Sequence, residues 1–242
     1  MSTADTSRPY TNRILSALPL EEYERISTRL EYVAMPLGQI LYRPEEPMSY
    51  VYFPLRGTIS ITAMMRDGSE VEVGVVGREG MLGLPLVLGT DSAPLKALVQ
   101  VPDGAMRLRA GAFIEVLESC KGLRRMLLRY AQAFFVQTAI TAACNRLHPF
   151  EGRLARWLLM TSDRAQSDTL PLTQEFLSIM LGVRRAGVTE ACGVLASQGL
   201  IEKARGRIRI SDSRGLQDAS CECYEIVRNE YDRLLGAETH YV

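Results

Sequence analysis

The apolar positions change their period along the chain. Ile14, Leu15 and Leu18, then Tyr23, Ile26 and Leu30, recur at spacings of three and four, which predicts a short helix over residues 11–30 behind a frayed tail, Met1–Tyr10. From Glu31 to about Leu108 the period shortens. "GTISITAMM" and "GSEVEVGVV" are β-type runs split by Arg66-Asp67-Gly68, a turn signal ending in glycine. "QILYRPEEP" and "MSYVYFPLRG" add two candidate strands, and "LKALVQVPDGAMRLR" adds a final pair across Pro102-Asp103-Gly104. Short strands at regular spacing predict a small β-barrel, sandwich or roll.

Helical periodicity then returns. Residues 111–119 read as a short helix, Gly122 as a break, and residues 123–147 as a long helix that ends before Pro149. Its stripe is Leu123, Leu127, Ala131, Phe134, Thr138, Thr141 and Asn145, at spacings close to a coiled-coil seam. At 1.5 Å per residue the helix is roughly 37 Å long, which is long for packing on one small domain. By periodicity alone it is either a core helix or a seam between two copies. His148-Pro149 reads as a hinge, and "FEGRLARWLLMTSD" and "TLPLTQEFLSIML" as two further helices. A last amphipathic helix runs to Leu235, with Asp212 as its N-cap.

Composition narrows the class. The 242 residues suffice for one large domain or two small ones, and 47% apolar and 23% charged content is that of a globular protein. No apolar run approaches the ~18 residues of a membrane span, and the N-terminus lacks a signal-peptide pattern, so the expected compartment is the cytoplasm, with no membrane partner. The five cysteines, Cys120, Cys144, Cys192, Cys221 and Cys223, form no disulfide framework. Cys221 and Cys223 are too close in sequence for the usual zinc pairing, and as i and i+2 of a helix they would face different ways, so no metal site is expected. No nucleophile–base constellation or Gly-rich phosphate loop stands out, which argues against an enzyme.

Basic and acidic residues number 28 each, so net charge names no partner. Local charge does. Thr173 is a plausible N-cap for a helix over residues 174–181, and Gly182 permits a tight turn. A second helix starts near Arg184 with Val188, Cys192 and Leu195 inward, and Gly199 fits the left-handed position past its end. "IEKARGRIRI" then reads as a hairpin turning at Arg205-Gly206. Between residues 173 and 214 the excess of basic over acidic side chains is three, an electrostatic footprint for nucleic acid. In a helix-turn-helix the start of the second helix enters the major groove, where arginine can make paired hydrogen bonds to guanine. Arg184 and Arg185 are thus candidate base readers, and Thr173, Lys203, Arg205, Arg207 and Arg209 candidate phosphate contacts.

These features resemble the CRP/FNR superfamily of bacterial transcription regulators. "LTQEFLSIMLGVRRAGVTEACGVLASQGLI" aligns with the family's helix-turn-helix without a gap, and "EGRLARWLL" resembles the first helix of its DNA-binding domain. The resemblance implies an α+β fold: an N-terminal double-stranded, jelly-roll-like β-roll with a long dimerisation helix (residues 1–147), then a winged helix-turn-helix (148–242). It implies a homodimer paired through the 123–147 stripe on a near-palindromic duplex site, with RNA polymerase as a further candidate partner. A regulatory module of the same fold that acts on protein partners is the alternative.

Two departures from the family pattern matter. The cAMP-responsive pattern has Arg-Glu on the recognition helix and a second Arg one turn on; here Arg185 is followed by Ala186, and Glu190 holds the second position. Thr189 and Glu190 join the candidate base readers, and the operator cannot be carried over. The family's cyclic-nucleotide site uses a Glu for ribose and an Arg-Ser for phosphate; Met81 stands at the first position and Asp91-Ser92 at the second. A carboxylate there repels a phosphate. Cyclic AMP is not expected to bind in the usual way, and the effector is unknown. Lys96 reads as a surface lysine. An N-terminal iron–sulfur cluster lacks its cysteines, and haem in the roll lacks a ligand, since His148 and His240 lie outside it.

Overall fold

The computed structural model describes residues 12–236. Met1–Tyr10, Thr11 and His240 lie outside them. The expected first helix is two: α1 (Arg13–Ser16) and α2 (Leu20–Ser27). Pro19 separates them, since it has no N–H to continue α1 and its fixed φ suits the start of α2. Asn12 caps α1 through its side-chain oxygen, and its amide donates to the carbonyls of Pro54 and Gly80, seating the helix on the roll.

The roll consists of β1 (Glu31–Met35), β2 (Ile40–Tyr42), β3 (Tyr50–Pro54), β4 (Thr58–Met64), β5 (Glu70–Val76), a helical turn α3 (Leu84–Val87), β6 (Lys96–Val101) and β7 (Asp103–Arg109). The strands form two antiparallel sheets, ordered β1-β7-β3 and β2-β6-β4-β5. The β4–β5 hairpin turns at the expected Asp67-Gly68, where Gly68 takes φ +84°. The expected β6–β7 pair is different. The two strands are consecutive but belong to different sheets, because the chain crosses the roll at Pro102, which cannot donate to a ladder. The expected strand through "QILYRPEEP" stops at Tyr42, ahead of Pro44.

After α4 (Ala110–Ser119), α5 spans Lys121–Leu147, about 40 Å of helix. The break lies at Cys120, in extended conformation, and Gly122 is inside the helix. The Glu22 carboxylate accepts from the amides of Gly122 and Leu123, and a side chain at residue 122 would strike it. Leu123 and Leu127 are fully buried within their own chain, so they cannot form a seam. Phe134 and Ala131 pack inward, and Thr141 accepts from Arg156. Leu128, Phe135, Ala139 and Ala142 lie exposed on one face further round, and Ala143 and Leu147 are exposed near the helix end.

The C-terminal half starts with α6 (Phe150–Ala165), β8 (Thr169–Leu170), α7 (Gln174–Leu181), α8 (Arg185–Ser197), β9 (Ile201–Ala204) and β10 (Arg207–Ile210). The expected last helix is two, α9 (Ser213–Ala219) and α10 (Cys223–Leu235), broken at Ser220-Cys221. Cys221 precedes α10, so the i,i+2 helix argument for Cys221 and Cys223 does not apply. Tyr231 of α10 lies against Tyr130 of α5, and one apolar core runs through both halves. No helix among the described residues is long and apolar enough to cross a membrane.

Candidate nucleic-acid interface

Two helices and a hairpin build the site. Thr173 Oγ1 accepts from the Phe176 amide at 3.1 Å and starts α7. Gly182 ends it at φ +62°, where its amide and that of Val183 close onto the carbonyls of Ile179 and Ser178. Arg184 is the extended N-cap of α8. Leu177, Met180, Leu181, Val188, Ala191, Cys192 and Leu195 bury the inner faces of both helices. This leaves Arg184, Arg185, Ala186, Thr189 and Glu190 exposed.

The β9–β10 hairpin closes through Arg205-Gly206, with Gly206 at φ +72° as a tight two-residue turn needs. Ile201, Ile208 and Ile210 face the core, while Lys203, Arg205, Arg207 and Arg209 face solvent. A groove of about 380 Å³ separates the wing from α7 and is lined by Thr173, Gln174, Arg185, Lys203, Arg205 and Arg207. The first two stand at the start of α7, where free backbone N–H groups and the helix dipole favour an anion. Among the described residues no carboxylate lies within ion-pair distance of Arg185, Lys203, Arg205 or Arg207.

Two predicted contacts are already engaged inside the protein. Arg209 makes a two-pronged ion pair with Glu202 across the hairpin, at 2.8 and 3.1 Å, so its charge is matched before any phosphate arrives. The Thr189 hydroxyl lies 2.9 Å from Gln174 Oε1 and 3.0 Å from the Arg185 carbonyl, which commits its one proton. Gln174 is the residue that sequence reasoning missed. Its position directly after the Thr173 N-cap was the available signal.

A second site lies in the roll. A cavity of about 310 Å³ sits between the β4–β6 sheet, α3 and α5, walled by Ile61, Val76, Met81, Leu84, Phe134 and Phe135 among others. Met81 is fully buried in that wall. Asp91 and Ser92 do not line it; Asp91 is exposed and its carbonyl accepts from the Met48 amide. Lys96 is the cationic side chain in the wall, and it is no loose surface lysine. Its ammonium is 2.6 Å from the Glu70 carboxylate, and both are largely buried.

Buried polar contacts join the roll to the C-terminal half. Glu72 of β5 accepts from the Trp157 indole N–H at 2.7 Å and lies 2.6 Å from the Ser60 hydroxyl. Burial pushes its carboxyl up to about 7, against these hydrogen bonds and the charges of Arg156 and Arg164, which pull it down. Arg164 of α6 bonds Glu79 of the roll at 2.8 Å and Gln137 of α5 at 2.6 Å. Gly182 packs on Val71, also of β5; a Cβ there would stand 3.2 Å from the valine methyl.

A β-roll of the cyclic-nucleotide type, a long helix and a winged helix-turn-helix with unpaired arginines define a DNA-binding regulator. Comparison with known proteins is consistent with this. Residues 32–120 match the cyclic nucleotide-binding domain, and residues 152–219 match the Crp-like helix-turn-helix domain. The chain belongs to the CRP/FNR superfamily and is a DNA-binding transcription regulator of that type. A CRP-like cAMP-activated global transcriptional regulator of Mycobacterium tuberculosis is 24% identical over 198 residues, covering 79% of this chain and 88% of that one. The fold is shared with FixK2 from Bradyrhizobium japonicum, with TM-score 0.67 at 16% identity over 79% of this chain and 98% of that one. It is also shared with a CRP-family transcriptional regulator from Thermus thermophilus, with TM-score 0.62 at 17% identity over 88% of this chain and all of that one.

Proposed function

We propose that this chain acts as a homodimer that reads a near-palindromic DNA site with α8 and holds the flanking phosphates with the β9–β10 wing. The observation that carries this reading is the placement of Arg184 and Arg185 at the exposed start of α8, beside a groove edged by Lys203, Arg205 and Arg207. The exposed stripe of α5 supports the dimer. Leu128, Phe135, Ala139 and Ala142 follow heptad-like spacings, and Phe135 is 68% exposed in the single chain. Pairing there sets two recognition helices about one DNA turn, ~34 Å, apart. RNA polymerase is a further partner of such a regulator.

We infer that control does not come from cyclic AMP held in the family's usual manner. The roll cavity has an apolar wall, its one cationic side chain is matched by Glu70, and Met81 occupies the ribose-binding position. An anionic nucleotide would lose its hydration there without a free counter-charge. An uncharged, largely apolar effector suits this wall better. Strand β5 offers the connection, with Val76 in the cavity wall and Glu72 and Val71 against α6 and Gly182.

The test combines gel shifts on genomic fragments, sedimentation of the free protein, and calorimetry with cyclic AMP. Specific shifts by a dimer, with no micromolar heat from cyclic AMP, are expected. A monomer that shifts no fragment overturns the DNA reading in favour of a module for protein partners. Micromolar cyclic AMP binding overturns the effector reading alone.

A further inference from the structure

The break between α9 and α10 has a chemical consequence. It turns Cys221 and Cys223 toward the C-terminal end of α5, where Cys144 and His148 stand one helical turn apart. Cys144 Sγ is 3.4 Å from Cys221 Sγ, and Cys223 Sγ is 3.5 Å from His148 Nδ1. All four donor atoms lie within 4.8 Å of one another. A tetrahedral zinc with ordinary Zn–S and Zn–N bonds holds its donors roughly 3.5–3.8 Å apart. The four side chains therefore already bracket a metal-sized point.

The surroundings fit a metal centre in two independent ways. His148 Nε2 lies 3.2 Å from the Glu222 carboxylate. That contact keeps the proton on Nε2 and leaves the Nδ1 lone pair facing the thiols, the arrangement by which a carboxylate orients a metal-bound imidazole. Arg156 lies beside the cluster, with its charge acting on all three thiols, and is only 3% exposed. Its Nη1 reaches only Thr141 Oγ1 and Met160 Sδ, and its Nε has no acceptor. It makes no ion pair among the described residues, and the one carboxyl it is coupled to, Glu72, is itself pushed up to about 7 by burial, so this buried guanidinium is under-compensated. Three thiolates around a divalent ion carry one net negative charge, which Arg156 would neutralise.

We propose that Cys144, His148, Cys221 and Cys223 form a structural zinc site that fastens the winged helix-turn-helix unit to the end of α5. Four protein ligands leave no open position, so the centre is structural and not catalytic. Soft thiolates with one imidazole select zinc over magnesium or calcium. Binding releases the thiol protons and fixes three pieces of backbone: the last turn of α5, the His148-Pro149 hinge and the α9–α10 junction. The angle between the long helix and α6 is then set by the metal. A disulfide between Cys144 and Cys221 would use two of the four groups and remove the thiolate charge facing Arg156.

The experiment uses the full chain, purified under reducing conditions and dialysed free of loose metal. Elemental analysis should find one zinc per chain. Replacing it with Co(II) should give intense thiolate-to-cobalt charge transfer and tetrahedral d–d bands. Cys223→Ser should abolish these bands. Glu222→Gln, an exposed change that leaves every ligand in place, should weaken zinc 10- to 100-fold in a competition with a chelating dye. Chelating the zinc should raise hydrogen exchange across residues 144–152 and 219–224. Zinc well below one equivalent with no Co(II)–thiolate band on the wild-type chain overturns the proposal, whatever the variants do. So does an acid-labile-sulfide iron centre, or a Cys144–Cys221 disulfide in protein whose thiols are alkylated before any reductant is added.

Discussion

Glu72 gives the sharpest energetic prediction. Its carboxyl is enclosed between β4, β5 and α6, with Trp157 donating to Oε1 and Ser60 beside Oε2. The Ser60 hydroxyl also lies 2.7 Å from Gln100 Oε1, while Gln100 Nε2 donates to Thr161. With the amide oriented this way, Ser60 has one proton for two acceptors. A protonated Glu72 supplies the missing one: it donates to Ser60, which donates to Gln100. Burial raises the carboxyl from 4.5 to about 7. That difference corresponds to about 3 kcal/mol. The sign follows from proton linkage. Between these two values the folded chain holds a proton that the unfolded chain has released. The contribution is therefore complete below about pH 4.5, falls as pH rises, and is gone above about pH 7. Glu72→Gln keeps the hydrogen bonds and removes the titration. Urea unfolding followed by the fluorescence of Trp157, the sole tryptophan, should show wild type losing about 3 kcal/mol relative to the glutamine variant between about pH 4.5 and pH 7. Parallel pH profiles for the two proteins would show that folding is not linked to a proton on Glu72.

Other substitutions probe separate links. Arg185→Ala should cost about 1–3 kcal/mol on the preferred site and relax base choice at one position per half-site, read by competition gel shifts on single-base variants. Neutralising Arg205 and Arg207 together should weaken all duplexes alike and lower the slope of log affinity against log salt by about 2 per subunit, whereas Arg209→Gln should change it less because Glu202 already matches that charge. Gly182→Ala forces a side chain into the left-handed region against Val71 and should destabilise the chain by roughly 1 kcal/mol, a melting shift of about 2–4 °C. Phe135→Glu should convert a dimer to monomers in sedimentation without lowering the monomer's helix content.

Local chemistry made part of this molecule legible from its sequence. Thr173, Gly182, Gly199 and Gly206 each answer a backbone requirement within a few residues, so α7, α8 and the wing lie where the pattern predicts. The β4–β5 hairpin is likewise set by its own turn. Partners distant in sequence were not legible. Glu22 lets α5 run through Gly122, and Pro102 sends β6 and β7 to different sheets. The apolar stripe of α5 was visible, but not which part of it the roll covers: Leu123 and Leu127 are interior, while Phe135 is left outside. The same limit hid the Lys96–Glu70 pair and the convergence of Cys144 with Cys221, residues 77 positions apart.

Whether α8 and the wing read a two-fold DNA site is decided by selecting random duplex DNA on the purified full chain and sequencing what is retained. An enriched pair of inverted half-sites with centres about one helical turn apart is expected, with loss of one defined base preference in each when Arg185→Ala is used instead. No enriched sequence, or an enriched motif that is the same for both proteins, would contradict it.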